Sequence, residues 1–185
     1  MAAQSRHHNA SKALVSIDIA DSLTPADLND LCDAADIAIE AGGGFGWLTP
    51  PAREVMERYW RGVLVVPERH LLLARMDGIV CGAAQFVEPS RHNEAQSFCA
   101  SIVGTFITPW ARGHGAGRRL VETAEQLALD MGYKVLQLDV RATQEAAIAL
   151  YTSMGYERWG TNPNYALVGK DMLTGHYYTK TLTSF

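Results

Sequence analysis

The residues best suited to chemistry lie at positions 112–117, in the run Arg-Gly-His-Gly-Ala-Gly. Its three alternating glycines, Gly113, Gly115 and Gly117, let backbone N–H groups approach a ligand closely. The run leads into a predicted helix, whose free N-terminal amides and dipole favour an anion. An exposed helix terminus contributes only about 0.3 to 1 kcal/mol per anionic group, so several amides must act together. A pyrophosphate suits such an arrangement.

Two other phosphate-binding loops do not fit this run. The G-x-x-x-x-G-K-[ST] loop needs a lysine and a hydroxyl residue after its last glycine, and neither follows here. The dinucleotide fingerprint G-x-G-x-x-G, counted from Gly113 and Gly115, needs a third glycine where Arg118 stands. Asp139 lies near the distance at which that fingerprint has an acidic residue, but the surrounding pattern does not match. A tight turn before a helix, with no ligand, remains the alternative.

Strands and helices alternate around the glycine run. A long strand, from about Glu94 to Ile107, is predicted before it, and a helix with an apolar stripe is predicted after it. Val135–Arg141 favours a strand in which polar and apolar residues alternate. Its polar residues are Gln137, Asp139 and Arg141. A further helix is predicted from about Gln144 to Met154, so the second half of the chain repeats the order strand, helix.

The first half of the chain combines helices with a hairpin. A strand is predicted over Ala13–Ala20, and Thr24, followed by a proline and an acidic residue, predicts the start of a capped helix. A second helix is predicted after Thr49-Pro50-Pro51. His70–Arg75 and Ile79–Val87 are predicted strands, and the Asp-Gly pair between them is a strong hairpin signal.

Two further segments complete the predicted layout. Tyr156–Trp159 and His176–Leu182 are predicted as final strands, separated by a loop that holds Asn162-Pro163-Asn164. Between the first two helices, the run Phe45-Gly46-Trp47-Leu48 either closes over a ligand or pins its loop to the core, and the sequence leaves both open. Together the elements predict a mixed α/β fold.

The composition limits the classes of protein to consider. With 185 residues, of which 48% are hydrophobic, the chain predicts one domain over residues 13–185 after a flexible N-terminus of residues 1–12. A formal charge of −4 favours neither nucleic acid nor an anionic membrane as a partner. Cys32, Cys81 and Cys99 match neither a disulfide framework nor a zinc-ligand pattern, so no metal site is predicted. Without a recognisable secretory signal or membrane span, the expected location is cytoplasmic.

Two motifs together resemble a known family. The segment 112–117, with the pattern R-x-x-G-x-G, resembles the [QR]-x-x-G-x-[GA] acetyl-CoA signature of the GCN5-related N-acetyltransferases (GNAT). The run from Gln144 to Tyr156 resembles the second family signature, N-x-x-A-x-x-L-Y-x-x-x-G-[FY], and the spacing between the two also fits. The resemblance covers about Leu71 to Leu182. It implies a single domain with a mixed, mostly antiparallel central sheet flanked by helices.

The resemblance implies that acetyl-CoA is the co-substrate, and it assigns the contacts. The backbone amides from Gly113 to Arg118 would bind the pyrophosphate, and the backbones of Thr105 and Ile107 would pair with the pantetheine arm like an added strand. Gln144 stands where the family usually has asparagine, and its amide can still donate a hydrogen bond. The implied cofactor residues are Thr105, Ile107, Arg112, Gly113, His114, Gly115, Ala116, Gly117, Arg118 and Gln144.

The resemblance also implies a set of catalytic residues. Tyr151 stands where many family members have a tyrosine that donates a proton to the leaving thiolate, although its place on an apolar helix face also fits a core tyrosine. Strings that begin at Glu94, Leu136 and Gly175 are most similar to the tabtoxin-resistance type of acetyltransferase. In that type, an acidic pair that matches Glu94 and Asp139 is proposed as the base. Each carboxylate also fits a solvated or ion-paired surface group.

The implied activity is transfer of an acetyl group from acetyl-CoA directly to a primary amine, expected to belong to a small molecule. Presenting a lysine-like amine, with a pKa of about 10.4, in its neutral form at pH 7 costs roughly 4 to 5 kcal/mol, so a base is useful. A non-catalytic acyl-CoA-binding or sensor module remains open, as does a protein lysine or N-terminal acetyltransferase. Homodimers are common in the family, so a homodimer remains open as well.

Overall fold

Strands and helices alternate through residues 13–43 and 45–183, the part of the chain that the computed structural model describes. The strands are β1 (Val15–Ala20), β2 (Arg69–Met76), β3 (Ile79–Val87), β4 (Cys99–Ile107), β5 (Val135–Arg141), β6 (Glu157–Val168) and β7 (Asp171–Thr181). The helices are α1 (Pro25–Glu40), α2 (Arg53–Leu64), α3 (Ala116–Asp130) and α4 (Glu145–Ser153). The predicted flexible terminus, residues 1–12, lies outside the described residues.

The seven strands of this region form one sheet with the order β1-β2-β3-β4-β5-β7-β6. Neighbouring strands are antiparallel except for β4 and β5, which run parallel. These two pair over only three positions, from Cys99 opposite Val135 to Ser101 opposite Gln137. The predicted mixed, mostly antiparallel sheet flanked by helices is confirmed.

Helices cover both faces of the sheet around β2 and β3. On one face, the apolar residues of α1 and α2 meet Leu71 and Leu73 of β2. On the other face, α3 packs against Leu72 and Ala74 of the same strand, together with Leu136 of β5. Because side chains alternate along a strand, one apolar run supplies both cores.

Two local signals set the first half of the fold. Thr24 caps α1: its hydroxyl accepts a hydrogen bond from the Asp27 N–H at 3.1 Å, and the Asp27 carboxylate reaches back to the Thr24 N–H. Asp77 and Gly78 have φ angles of 51° and 88°, as the tight turn between β2 and β3 requires. The predicted helix start and hairpin are both confirmed.

The strand predicted from Glu94 begins later, at Cys99. Glu94–Gln96 instead forms a 3₁₀ turn, in which the Ser97 N–H donates to the Glu94 carbonyl at 3.2 Å. These polar residues are exposed and satisfy their backbone groups locally. Because they bury no apolar surface, burial does not stabilise them as part of the strand.

The last two strands are longer than predicted and form one hairpin. The segment Asn162-Pro163-Asn164, predicted as a loop, lies inside β6. β6 is an edge strand, where the missing proline N–H is tolerated, and its register with β7 is irregular between Asn162 and Ala166. The chain turns instead at Gly169 and Lys170. Edge position is a tertiary property that the local turn residues do not reveal.

Gly82, in the centre of the sheet, leaves no room for a side chain. A Cβ there would overlap the Phe106 carbonyl oxygen and lie 2.5 Å from Cδ1 of Ile107. We expect Gly82→Ala to lower the free energy of unfolding by about 1–3 kcal/mol, because the end of β4 must move. Urea unfolding measures the change.

Gly62→Ala is the matched control for this prediction. Gly62 lies in α2, and nothing lies within 4 Å of a Cβ at that position. Alanine also favours a helix, so the free energy of unfolding should rise by up to about 1 kcal/mol. Equal stability of the two variants would contradict the expected overlap.

Candidate active site

Two cavities open where β4 and β5 separate, because the two strands no longer pair beyond Ser101. The sheet cavity, of about 620 Å³, is lined by Ile102–Thr105 of β4 and Asp139–Arg141 of β5, with further residues from β6 and the loop after α1. The loop cavity, of about 750 Å³, is lined by Thr105–Ile107, the glycine run and Thr143–Ala147. The residues that line both are Gly43, Thr105, Gln144, Ala147 and Tyr151.

A bulge bends β4 where the cavities begin. The register between β3 and β4 shifts at Gly104 and Thr105, so β4 has an extra residue there. Gly104 has a φ of 62°, and a Cβ on it would lie 3.2 Å from the side-chain nitrogen of Gln85. Gln85 is buried beneath the bulge and donates to the Tyr59 hydroxyl at 2.7 Å. Glycine at 104 therefore lets β4 turn past a fixed polar side chain.

The glycine run forms one wall of the loop cavity. Gly115 is the N-cap of α3, with a φ of 83° and no side-chain hydrogen bond to the helix amides. Nothing lies within 4 Å of the Cβ positions of Gly113 and Gly115, so the space beside them is open. The exposed residues Arg112 and Arg118 add positive charge to this helix terminus. The site therefore fits a pyrophosphate group.

Every implied cofactor residue except His114 lines the loop cavity. His114 is exposed and lines neither cavity. Arg112 Nε donates to the Ile107 carbonyl at 3.3 Å, which ties the glycine run to the end of β4. Arg118 Nη2 donates to Ser153 Oγ at 2.7 Å and links α3 to α4. The two arginines thus hold the walls of this cavity together.

Tyr151 lies on α4 where the two cavities meet. It is only 5% exposed, and its ring packs against Tyr156 with 5.8 Å between centroids. Burial raises the pKa of the Tyr151 phenol above its ordinary value, and a hydrogen bond with the Thr105 side chain opposes that rise. The phenol therefore stays protonated at neutral pH. Tyr151 is a core residue that also reaches both cavities.

Asp139 lies on the face of β5 that is turned away from the α3 core, and it lines the sheet cavity. Its Oδ2 accepts a hydrogen bond from the Tyr165 hydroxyl of β6. Burial and this hydrogen bond raise the pKa of the Tyr165 phenol, so Tyr165 remains a donor. The negative charge of Asp139 also contributes to the raised pKa of Tyr151. The structure thus brings Asp139 and Tyr151 close together.

Tyr165 is a site residue that the sequence does not reveal. It lies in the segment predicted as a loop, and no motif includes it. Its ring packs against Tyr177 with 6.3 Å between centroids, and it occupies the space where a Cβ on Gly175 would lie. The contact with Asp139 depends on how β6 and β7 pair, which no local pattern indicates.

Glu94 is not brought together with Asp139 or Tyr151. It lies in the turn before β4, is exposed and lines neither cavity. Only β4 residues from Ile102 onward reach the cavities, and the three residue steps from Cys99 to Ile102 extend about 10 Å. Of the two predicted carboxylates, the structure therefore places Asp139 alone at the site.

The loop between α1 and α2 contributes to the walls of both cavities. Gln144 Nε2 donates to the Gly42 carbonyl at 2.8 Å, which ties this loop to the start of α4. Phe45 stacks on Phe106 with 5.0 Å between centroids, and it lines the sheet cavity together with Leu48. The run is therefore pinned to the core and also forms part of a cavity wall, and closure over a ligand stays a prediction.

A metal site, a disulfide and a membrane-spanning helix each have structural requirements that the described residues do not meet. No three His, Cys, Asp or Glu side chains within residues 13–43 and 45–183 are placed to hold a metal ion. Cys32 and Cys81 are buried, Cys99 is half-buried, and all three are free thiols. Among the helices described, none combines the length and the apolar character that crossing a bilayer requires.

The sequence matches a known enzyme family over more than half of its length. A model of the Acetyltransferase (GNAT) family matches residues 32–156. The chain belongs to the GNAT family. It is 57% identical over 130 residues to an uncharacterised N-acetyltransferase of Azospirillum brasilense from the hisH-hisA intergenic region. That match covers 70% of this chain and 77% of the relative.

Solved GNAT structures share the fold. The N-acetyltransferase from Staphylococcus aureus Mu50 has a TM-score of 0.76 at 21% identity, over 92% of this chain and 99% of that chain. A GNAT superfamily phosphinothricin acetyltransferase from Sinorhizobium meliloti, in complex with acetyl-CoA, has a TM-score of 0.72 at 19% identity, over 92% and 89%. At these identities the likeness establishes the fold, and it confirms a GNAT-type domain.

The hydrogen bond from Gln144 should hold the loop between α1 and α2 in place. We expect Gln144→Leu to speed amide hydrogen exchange of residues 41–43 and 45–48 by about twofold to tenfold, since a net hydrogen bond contributes about 0.5–1.5 kcal/mol. Exchange followed by mass spectrometry measures the effect.

Gln126→Leu is the matched control for the loop. Gln126 Nε2 donates to Asp130 Oδ1 at 2.8 Å on the exposed face of α3, so its loss should leave the loop unchanged. Exchange that rises equally in both variants, or in neither, would show that the bond to Gly42 does not hold the loop.

Proposed function

We propose that this GNAT protein transfers an acetyl group from acetyl-CoA directly to a primary amine of a small molecule. The observation that carries the proposal is the meeting of the two cavities at Thr105 and Tyr151. A donor held in the loop cavity and an acceptor held in the sheet cavity would reach each other at that point. The sheet cavity, of about 620 Å³, also has the size of a small-molecule site.

The loop cavity supplies what acetyl-CoA requires. The amides at the N-terminus of α3, with Arg112 and Arg118 beside them, suit its pyrophosphate. Thr105–Ile107 lies beyond the pairing with β5, so its backbone can pair with the pantetheine arm as an added strand would. When bound, acetyl-CoA supplies an acetyl group activated as a thioester. The cavity walls would direct that group toward Tyr151.

Acetyl transfer forms a bond between the amine nitrogen and the acetyl carbon and breaks the carbon–sulfur bond. An acceptor that arrives as an ammonium group loses one proton to solvent before attack and a second as the amide forms, and Asp139, which lines the sheet cavity, would accept that second proton directly or through water. The leaving sulfur gains a proton, and the buried Tyr151 phenol, which lines the loop cavity, would donate it. Because burial makes the phenolate costly, that proton moves only as negative charge forms on the sulfur. Proton exchange with solvent restores both groups.

One assay separates this proposal from its alternatives. Pure protein is incubated with acetyl-CoA and a panel of small primary amines and peptides, and release of the CoA thiol is followed. Acetylation of small amines supports the proposal. Thiol release with peptides alone would indicate a protein lysine or N-terminal acetyltransferase. Tight acetyl-CoA binding without product would indicate a non-catalytic acyl-CoA-binding module.

Several finer expectations stay predictions. They are a close relation to the tabtoxin-resistance type, a homodimer, a cytoplasmic location and the lack of nucleic-acid and membrane partners. The first draws in part on Glu94, which does not lie at the site. The homodimer, the location and the partners depend on surfaces outside the two cavities and on the cell.

Tyr151→Phe tests proton donation to the leaving sulfur. We expect kcat to fall by about 10²- to 10⁴-fold, while the Kd for acetyl-CoA changes by less than about threefold because the ring still packs. Tyr156→Phe is the matched control, since Tyr156 is 3% exposed but lines neither cavity. An unchanged kcat in Tyr151→Phe would remove Tyr151 from the mechanism.

Gly115→Ala tests the glycine run as the pyrophosphate site. Gly115 has a φ of 83° and faces the loop cavity, so a Cβ both strains the backbone and intrudes on the ligand. We expect the Kd for acetyl-CoA, measured by titration calorimetry, to rise at least about tenfold.

Gly169→Ala separates strain from binding. Gly169 lies at the turn between β6 and β7 with a φ of 63° and open space around its Cβ position. The variant therefore carries similar strain, but the residue lines neither cavity. A similar loss of affinity in both variants would assign the effect to backbone strain rather than to the site.

A further inference from the structure

Two opposite charges face the sheet cavity from the same strand. Leu138 and Val140 of β5 are buried in the core beneath α3. The alternating residues Asp139 and Arg141 therefore lie on the other face, where both line the sheet cavity. Neither lines the loop cavity. Alternate residues of a strand are about 7 Å apart, so one small ligand can contact both side chains.

The phenol of Tyr165 interacts with both charges. Its hydroxyl donates to Asp139 Oδ2. The pKa of Tyr165 is raised by burial and by this hydrogen bond, and the positive charge of Arg141 opposes the rise. An ionised carboxylate has about four acceptor sites, so Asp139 can still accept a hydrogen bond from an ammonium group.

Much of the remaining cavity wall is apolar. Phe45, Leu48, Val103 and Leu167 contribute to it. An occupant with an apolar body fits this wall, and its charged groups would meet Asp139 and Arg141 on β5. An ammonium group complements the carboxylate of Asp139, and an anion complements the guanidinium group of Arg141, so a ligand that carries both signs matches the cavity best.

We propose that the acceptor is an amine that carries its own carboxylate, as a free amino acid with an apolar side chain does. Arg141 binds the carboxylate through the paired N–H donors of its guanidinium group, and Asp139 receives the ammonium group. The inference rests on the proposed function and names its acceptor class. A simple alkylamine offers Arg141 no anion, and the N-terminus of a polypeptide presents a neutral amide in its place.

Two matched series of acceptors test the inference. The first consists of L-phenylalanine, L-phenylalaninamide and phenethylamine, and the second of L-leucine, L-leucinamide and isoamylamine. The assay measures kcat/KM for each at saturating acetyl-CoA. An amino-acid amide has a more acidic ammonium group and reacts more readily for that reason alone. The deciding quantity is therefore the change in the acid-to-amide ratio when Arg141 is replaced.

Arg141→Gln should lower the acid-to-amide ratio of kcat/KM at least about tenfold, since hydrogen bonds to charged groups contribute about 1.5–3 kcal/mol. Arg141→Lys, which keeps the charge without the planar fork, should give an intermediate ratio. Arg158→Gln is the control: Arg158 is exposed on β6 and lines neither cavity, so the ratio should equal that of the unmodified protein. Thermal unfolding checks that each variant is folded.

A binding measurement makes the two proposals separable. 3-Phenylpropanoate, a carboxylate without an amine, should bind in the presence of CoA and bind at least about tenfold more weakly to Arg141→Gln. An unchanged acid-to-amide ratio, with equal binding of 3-phenylpropanoate, would overturn the inference even where amines are acetylated. Binding that depends on Arg141, with no product from any amine, would contradict the proposed function and leave the carboxylate site standing.

Discussion

The three-residue pairing of β4 with β5 is the constraint on which the rest of this structure depends. Each strand keeps an antiparallel partner on its other side, β3 for β4 and β7 for β5, so the two can separate without leaving the sheet. Their separation creates both cavities and leaves the facing edge of β4 without a strand partner. Backbone polar groups on such an edge need another partner, which an extended ligand can supply. The bulge at Gly104 bends β4 at the same point.

Charge is distributed locally rather than over the whole chain. Although the chain has a formal charge of −4, the α3 amides, Arg112 and Arg118 concentrate positive potential at the loop cavity, as the proposed binding of a polyanion requires. The sheet cavity instead holds one charge of each sign, on Asp139 and Arg141. The two halves of the site thus differ in the ligands that they favour. Tyr151 lies between them in a buried position, where its phenol stays protonated.

Short-range signals in the sequence predicted most of the fold and most of the residues that line the loop cavity. The capping pair Thr24 and Asp27, the Asp77-Gly78 turn and the glycine run act between residues a few positions apart, so their spacing is visible in the sequence. At Glu94, short-range signals led to a wrong prediction. Its segment was compatible with a strand, but without a buried face it forms an exposed turn. His114 likewise belongs to the motif, yet its exposed side chain reaches neither cavity.

By itself, then, the sequence determined the order of the elements, the glycine run before α3 and the family, because each depends on local spacing and periodicity. The tertiary structure decided which side chains share a cavity. Gln144 donates a hydrogen bond to a carbonyl 102 positions earlier. Asp139 accepts one from Tyr165, which lies on an edge strand in a segment that the sequence predicts as a loop. Contacts between residues so distant along the chain depend on strand order and on where two strands separate. No local pattern records those properties.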